Sequence, residues 1–420
     1  MGESVLSPPF PHVDGRLLCG GVSAAELAER FGTPLYVYDI GYVAERVRAF
    51  SEAFRDVDHL IAYSVKANGN LSILRALEAL GCGADITSGG ELFRARRAGI
   101  APGKILFAGV GKTRAEIAAA LREGILAFNV ESPSELERID AVASELGMRA
   151  RFGIRVNPDV LASTPHAYTR TGQATSKFGV PWEQTRDLYR WSLGREHLDP
   201  IGIDVHIGSQ IVETDPYVRA LDRVLELAGQ LADDGVALQY LDIGGGFGIS
   251  YDGEPGMDVE ELARAIGPRV TEAGLRLVLE PGRSLVGDAG VLLTRVQYVK
   301  RSGSKTFVIV DGGMSELIRP SHYGGYHAIE PAGPSRARRV EHVDIVGPIC
   351  ETGDFLALDR ALEVPDEGDL LAVRTVGAYG FAMASNYNGR LRPAEAMVDG
   401  TDVLLIRRRE TLDDLIRGEE

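Results

Sequence analysis

The sequence predicts an α/β protein built from a (β/α)8 barrel and a mostly β C-terminal domain. Three observations carry that prediction. From Leu60 onward, strand-like apolar runs alternate with helical patterns in eight units over about 220 residues, which suits a barrel better than an open doubly wound sheet, the alternative on spacing alone. The runs are continuously apolar beyond their first residue, as at Arg276-Leu-Val-Leu279, which is expected of parallel strands covered on both faces. After about residue 285 the pattern changes to β-rich segments separated by turn signals.

Residues 1–35 form an irregular lead-in with a short helix over 23–31, closed by Gly32-Thr-Pro34. A strand over 34–39 and an amphipathic helix over 42–54 follow. The barrel strands are predicted at 61–66, 83–87, 104–108, 125–130, 149–156, 201–207, 238–243 and 276–280. Helical patterns fall at 71–80, 90–98, 113–122, 133–146, 182–193, 216–233 and 259–273. The later β segments are 291–299, 306–310, 370–376 and 402–407. The expected organisation is a barrel domain over 36–284 and a β-rich domain that joins 1–35 to 285–420.

Composition narrows the function. The 420 residues exceed one ordinary domain, and 45% hydrophobic residues suffice for packed cores. No window of about 18 apolar residues suggests a membrane span. The first ten residues lack a basic region and an apolar stretch, so no secretory leader is expected. Cys19, Cys82 and Cys350 are too few and too scattered for a disulfide framework or a metal site, and a reduced, cytoplasmic setting is expected. A net charge of −15 argues against nucleic acid as a partner.

In barrels the chemistry lies at the C-terminal ends of the strands. Lys66 closes the first predicted strand, where burial would make it costly or lower its pKa, and lysine is the residue that forms Schiff bases. Asp85-Ile-Thr-Ser-Gly-Gly-Glu91 ends the second strand, Asn157 the fifth, and His206-Ile-Gly-Ser-Gln210 the sixth. Gly244-Gly-Gly-Phe-Gly248 follows the seventh and Glu280-Pro-Gly-Arg283 the eighth.

Singly, each has a plain structural explanation. Lys66 would reach a carboxylate or solvent, His206 would be a core histidine, the glycines a tight turn, and Glu280 a salt bridge to Arg283. Together they occupy one rim. The glycine run is not a dinucleotide fingerprint, because Ile249 takes the place of its last glycine. Its position suits backbone binding of a phosphate, and a Schiff-base lysine beside a phosphate cradle suggests pyridoxal phosphate. Glu280 would then keep the pyridine nitrogen protonated, and His206 would lie against the ring.

Tyr63-Ser-Val-Lys-Ala-Asn68, His206-Ile-Gly-Ser209, Gly244-Gly-Gly246 and Glu280-Pro-Gly-Arg283 resemble the fold type III pyridoxal-phosphate decarboxylases, which pair an alanine-racemase-type barrel with a β domain. Four further stretches resemble the diaminopimelate decarboxylase family within that group. They are Asn157-Pro-Asp-Val with Ser176-Lys-Phe-Gly179, Asp311-Gly-Gly-Met with Arg319-Pro and Tyr323, Gly347-Pro-Ile-Cys-Glu-Thr-Gly-Asp354, and Gly377-Ala-Tyr-Gly with Met383-Ala-Ser-Asn-Tyr-Asn388. The resemblance runs from about Gly32 to Gly400 in preserved order; only residues 163–168 look rearranged, around His166.

The resemblance implies that Lys66 is the Schiff-base lysine, that His206 stacks on the pyridine ring, and that Ser209, Gly245, Gly246, Gly282 and Arg283 hold the phosphate. Asp85 joins the cofactor-binding set, Glu280 pairs with the pyridine nitrogen, and Tyr387 reaches both phosphate and substrate. Arg283, Arg319 and Tyr323 would bind the carboxylate that the substrate keeps, and Glu351 its distal amine. Cys350 would be the proton donor, supplied by the partner subunit of a homodimer that shares its active sites. The implied reaction converts meso-2,6-diaminopimelate to L-lysine and CO2, the last step of lysine biosynthesis. A sibling decarboxylase acting on ornithine, carboxynorspermidine or a carrier-bound glutamyl group, a racemase of the same fold, and a non-catalytic regulator are the alternatives.

Overall fold

The computed structural model describes residues 9–160, 177–334 and 338–419; Ser176 and the segment 163–168 lie outside the described residues. The described chain divides into two compact units. One comprises Arg46–Ile249 and Pro255–Ser284. The other comprises the residues up to Glu45, Ser250–Glu254 and those from Leu285 onward.

In the first unit, eight parallel strands close on themselves. They are His59–Ser64, Gly83–Ile86, Ile105–Phe107, Ala127–Val130, Ala150–Asn157, Leu198–Asp204, Tyr240–Asp242 and Arg276–Leu279. Each pairs with the next, and the last returns to the first through Val278↔Leu60. Leu60, Ala62, Leu106, Ala127, Ile201, Tyr240 and Val278 form one buried apolar cluster of this unit.

The intervening helices start where short polar side chains cap free backbone N–H groups: Asn70 accepts from Ser72, Ser88 from Glu91 and Ser132 from Glu135. Thr113 and Glu116 close a reciprocal capping box. Each of these helices therefore begins a few residues beyond a strand end, which leaves the short strand-to-helix connections to line the rim.

The second, third, fourth, seventh and eighth strands are shorter than the sequence predicts, and the first and sixth keep their predicted length but lie two or three residues earlier in the chain. The consequence matters at Lys66. The predicted strand 61–66 ends at Ser64, and Val65–Ala67 form a single 3₁₀ turn. Lys66 therefore rides on a turn with its side chain 39% exposed, and the expectation of a buried lysine is corrected.

In the second unit, the long strand Gly290–Ser302 pairs antiparallel with Leu35–Asp39, Lys305–Val310 and Leu370–Val373. Leu35–Asp39 runs parallel to Ala394–Asp399, which turns back into Asp402–Arg407. Lys305–Val310 runs parallel to Val340–Val346, itself antiparallel to Phe355–Glu363. Leu17, Cys19, Leu27, Leu35, Val37, Leu293 and Ala396 belong to its buried core. Val340–Val346, Phe355–Glu363 and Ala394–Asp399 extend the sheet beyond the four segments the sequence predicts. Val340–Val346 and Phe355–Glu363 interleave charged residues with apolar ones because part of each strand is exposed.

Candidate active site

Lys66 Nζ lies 3.2 Å from Asp85 Oδ2, and Ser64 Oγ donates to the same oxygen at 2.9 Å. Parallel register makes this possible, because Ser64 and Asp85 are direct partners on the first two barrel strands. Asp85 is fully buried and its Oδ1 has no hydrogen-bond partner among the described residues. The lysine thus stands at the mouth of the barrel over a buried carboxyl group.

Glu280 follows the last barrel strand, its N–H bonded to the Gly244 carbonyl at 2.9 Å. Its carboxyl is buried, and Oε1 also lacks a partner among the described residues. Burial, and then the charges of Asp242, Asp85 and Asp204, push its proton affinity well above the usual carboxylate range, while Lys66 opposes the rise. Asp204 and Asp242 are register partners on adjacent strands, which places two acids side by side inside the barrel. Burial raises both, and the charge of Asp242 raises Asp204 further while that of Asp85 raises Asp242. Asp242 is held by the Gly244 N–H at 2.8 Å and by Asn129 Nδ2 at 3.3 Å.

His206 accepts the Gly245 N–H at Nδ1, 3.1 Å away. The neutral ring therefore carries its proton on Nε2. Burial, then the charges of Arg155 and Lys66, hold the imidazole well below its ordinary pKa, so it stays neutral near pH 7.

The glycine run needs its glycines. Gly244 and Gly246 have φ of 70° and 89°; a Cβ on Gly244 would lie 2.5 Å from His206 Nδ1, and one on Gly246 would collide with the Gly208 carbonyl. Tyr217 donates to the Gly245 carbonyl at 2.8 Å and fixes the turn. Arg283 Nη2 reaches Ser209 Oγ at 3.3 Å, which joins the ends of the sixth and eighth strands. Lys66, Asp85, His206, Ser209, Gly245, Gly246, Glu280, Gly282 and Arg283 are all brought to one rim.

These residues fit pyridoxal phosphate. A lysine amine sits where an aldehyde can be held, and bare backbone beside Ser209 and Arg283 suits a phosphate. The unpartnered Glu280 Oε1, in a buried cluster rich in acids, suits a protonated pyridine nitrogen. The fold and the rim define a pyridoxal-phosphate-dependent enzyme of the barrel type.

Comparison with known proteins agrees. The model of the pyridoxal-dependent decarboxylase pyridoxal-binding domain matches residues 40–287. The diaminopimelate decarboxylase of Aquifex aeolicus is 48% identical over 413 residues, covering 98% of this chain and 97% of the relative. That of Pseudomonas aeruginosa is 48% identical, with 98% of each chain covered. The crystal structure of diaminopimelate decarboxylase from Helicobacter pylori complexed with L-lysine has a TM-score of 0.90 at 41% identity, covering 94% of this chain and 98% of that one. The chain belongs to the diaminopimelate decarboxylases of the pyridoxal-dependent decarboxylase family.

The remaining expected site residues lie in the second unit, in two groups. Cys350 is exposed, and its N–H donates to Asn388 Oδ1 at 2.9 Å. Tyr387, half-exposed, hydrogen-bonds the Glu351 side chain, and that carboxylate holds the phenol above its ordinary pKa. Asp354 ties down the loop that carries Cys350 and Glu351 by accepting from Met314 N and Ile349 N, each at 2.6 Å. In the other group, Arg319 and Tyr323 bound a short helix, with Arg319 buried against His327 and Tyr251. Cys19 and Cys82, read as structural, are buried, and burial pushes both thiols up to about 12.

Asp204, Asp242 and His327 are the parts of this machinery that sequence reasoning missed. A signal existed for the first two. Asp204 precedes His206 by two residues and Asp242 precedes Gly244 by two, so period-two geometry aims them to the same side as the rim residues.

Proposed function

We propose that the chain removes CO2 from meso-2,6-diaminopimelate to leave L-lysine, with the residue roles that follow. The observation that carries the reading is Lys66 set over buried Asp85 on a rim whose Glu280 has an unpartnered buried oxygen.

Pyridoxal phosphate, when bound, would supply a reactive aldehyde and an electron sink for the breaking carbon–carboxylate bond. Lys66 holds its aldehyde carbon and Asp85 orients the amine. Ser209, Arg283 and the N–H groups of Gly245, Gly246 and Gly282 hold the phosphate, joined by the Tyr387 hydroxyl. Glu280 keeps a proton at the pyridine nitrogen, helped by neighbouring acids that make a lone carboxylate costly there. His206, neutral and fixed through Nδ1, would lie against the ring face without adding positive charge.

Arg283, Arg319 and Tyr323 bind the carboxylate that the substrate keeps, since a planar guanidinium matches a carboxylate in a bidentate way. Glu351 takes the distal amine. Cys350 delivers a proton from Sγ to the carbon that has lost CO2, and its exposure suits a thiol that serves the active site of a partner subunit in a homodimer. The protein works in the cytoplasm.

The test offers purified protein with pyridoxal phosphate meso-diaminopimelate, ornithine and L-lysine separately, and follows CO2. Release from diaminopimelate alone is expected. Release from ornithine with none from diaminopimelate would assign the chain to a sibling activity.

A further inference from the structure

Arg319 is 92% buried by area (8% relative exposure), so its guanidinium is anchored rather than trailing into solvent. Nη1 lies 2.8 Å from His327 Nε2, and the guanidinium carbon stands 4.7 Å from the centre of the Tyr251 ring. One contact fixes an edge of the planar group and the other fixes its face.

The histidine can play only one part in this contact. A guanidinium donates and never accepts, so Nε2 of His327 must offer its lone pair. The opposite ring nitrogen, Nδ1, faces the Arg374 carbonyl oxygen at 2.8 Å, and a carbonyl only accepts. The proton therefore sits on Nδ1, and neither partner can exchange roles. His327 is itself fully buried. Its ring meets Tyr251 edge-on at 5.4 Å and 88°, and its own carbonyl accepts from Arg360 Nη1 at 2.8 Å. Arg360 lies 4.0 Å over the Tyr326 ring, and Arg374 is paired with Glu330. Tyr251 comes from Ser250–Glu254, a segment far away in sequence that belongs to the same unit as Arg319. A histidine in one enforced tautomer, braced on several sides, presents its lone pair to a single arginine nitrogen.

We propose that His327 is a positioning residue for the carboxylate the substrate retains: with Tyr251, it holds the Arg319 guanidinium in the plane that receives that carboxylate. This rests on the reading of Arg319 as a carboxylate-binding residue. An arginine side chain otherwise surrenders much rotamer freedom on binding, and a guanidinium fixed beforehand avoids that loss. The effect belongs to binding of the carboxylate end, apart from the reacting carbon.

Ligands that differ only in that carboxylate isolate the effect. L-Lysine keeps it and cadaverine lacks it. The holoenzyme of the parent, His327→Phe, His327→Gln and Arg319→Gln is compared by KM for meso-diaminopimelate and by inhibition by each ligand. For His327→Phe the expected result is a rise of roughly tenfold or more in KM and in the L-lysine inhibition constant, the worth of one hydrogen bond to a charged group. Cadaverine inhibition shifts less than about twofold, below the net worth of one hydrogen bond. His327→Gln, whose amide can accept from Arg319 and donate to Arg374, recovers most of the loss. Thermal melting identifies a misfolded variant, and in that event His327→Leu, which likewise offers Arg319 no acceptor, takes the place of His327→Phe. Equal weakening of both ligands, or no change in either, overturns the positioning role. If Arg319→Gln leaves the preference for L-lysine over cadaverine intact, the reading of Arg319 fails instead.

Discussion

Lys66 and Asp85 form an ion pair of 3.2 Å across the ends of the first two barrel strands, and the two partners are unlike in setting. Asp85 is fully buried while the lysine is 39% exposed, so the carboxyl is shielded from solvent and the amine is reachable. Lys66→Ala is expected to abolish turnover together with the visible absorbance band of bound pyridoxal phosphate. Spectra and CO2 release on the same sample check it. Turnover without the band would remove Lys66 from its role.

Asp85→Asn keeps the shape and removes the charge. Loss of the charge partner should slow turnover by roughly tenfold, the scale of one charged hydrogen bond, while the band persists. The check is kcat measured with the cofactor saturating.

Cys350→Ala should leave the absorbance band intact and slow L-lysine formation by about 10²–10⁴-fold, the usual worth of a positioned general acid. A near-normal rate would remove the thiol from the chemistry.

Asp354 accepts two backbone N–H groups from Met314 and Ile349. Asp354→Ala leaves both without their acceptor and should cost about 2–4 kcal/mol, read as a lowered Tm, with a fall in kcat because the Cys350 loop loses its anchor. Asp354→Asn, which retains one acceptor oxygen, should cost less. The ordering of the two variants is the checkable outcome.

The buried acids of the barrel predict a pH effect. Burial raises the proton affinity of Asp204, Asp242 and Glu280 above unfolded values. Such groups favour the folded state fully only below the free-carboxyl range, near pH 4, and that contribution is lost as pH rises through their raised values. Asp242→Asn removes one of them. In the cofactor-free protein, its Tm relative to the parent should therefore climb from about pH 4 to pH 8. A difference that stays constant across that range contradicts the linkage.

Much of the barrel was legible because parallel strands covered on both faces are apolar over most of their length, with the buried polar residues gathered near their C-terminal ends. The rim was legible for the complementary reason, that Lys66, His206, the glycines and Glu280 interrupt those runs. Lys66 itself was misplaced, since nothing local distinguishes a strand that ends at Ser64 from one that ends at residue 66; the nearby anion that accompanies the turn comes from the neighbouring strand. The proximity of Asp204 and Asp242 depends on register between strands, which a single sequence does not contain. The bond between Arg319 and His327 depends on how the chain folds back after a five-residue helix, and Tyr251 arrives from another part of the sequence altogether. The strands Val340–Val346 and Phe355–Glu363 were obscured because exposed residues weaken their apolar pattern.

The central claim is tested most directly by CO2 released from meso-2,6-diaminopimelate by the purified holoenzyme, with L-lysine measured in the same reaction. Equal amounts of CO2 and L-lysine, both lost in Lys66→Ala, are predicted. No release from diaminopimelate by protein that carries pyridoxal phosphate would contradict the account.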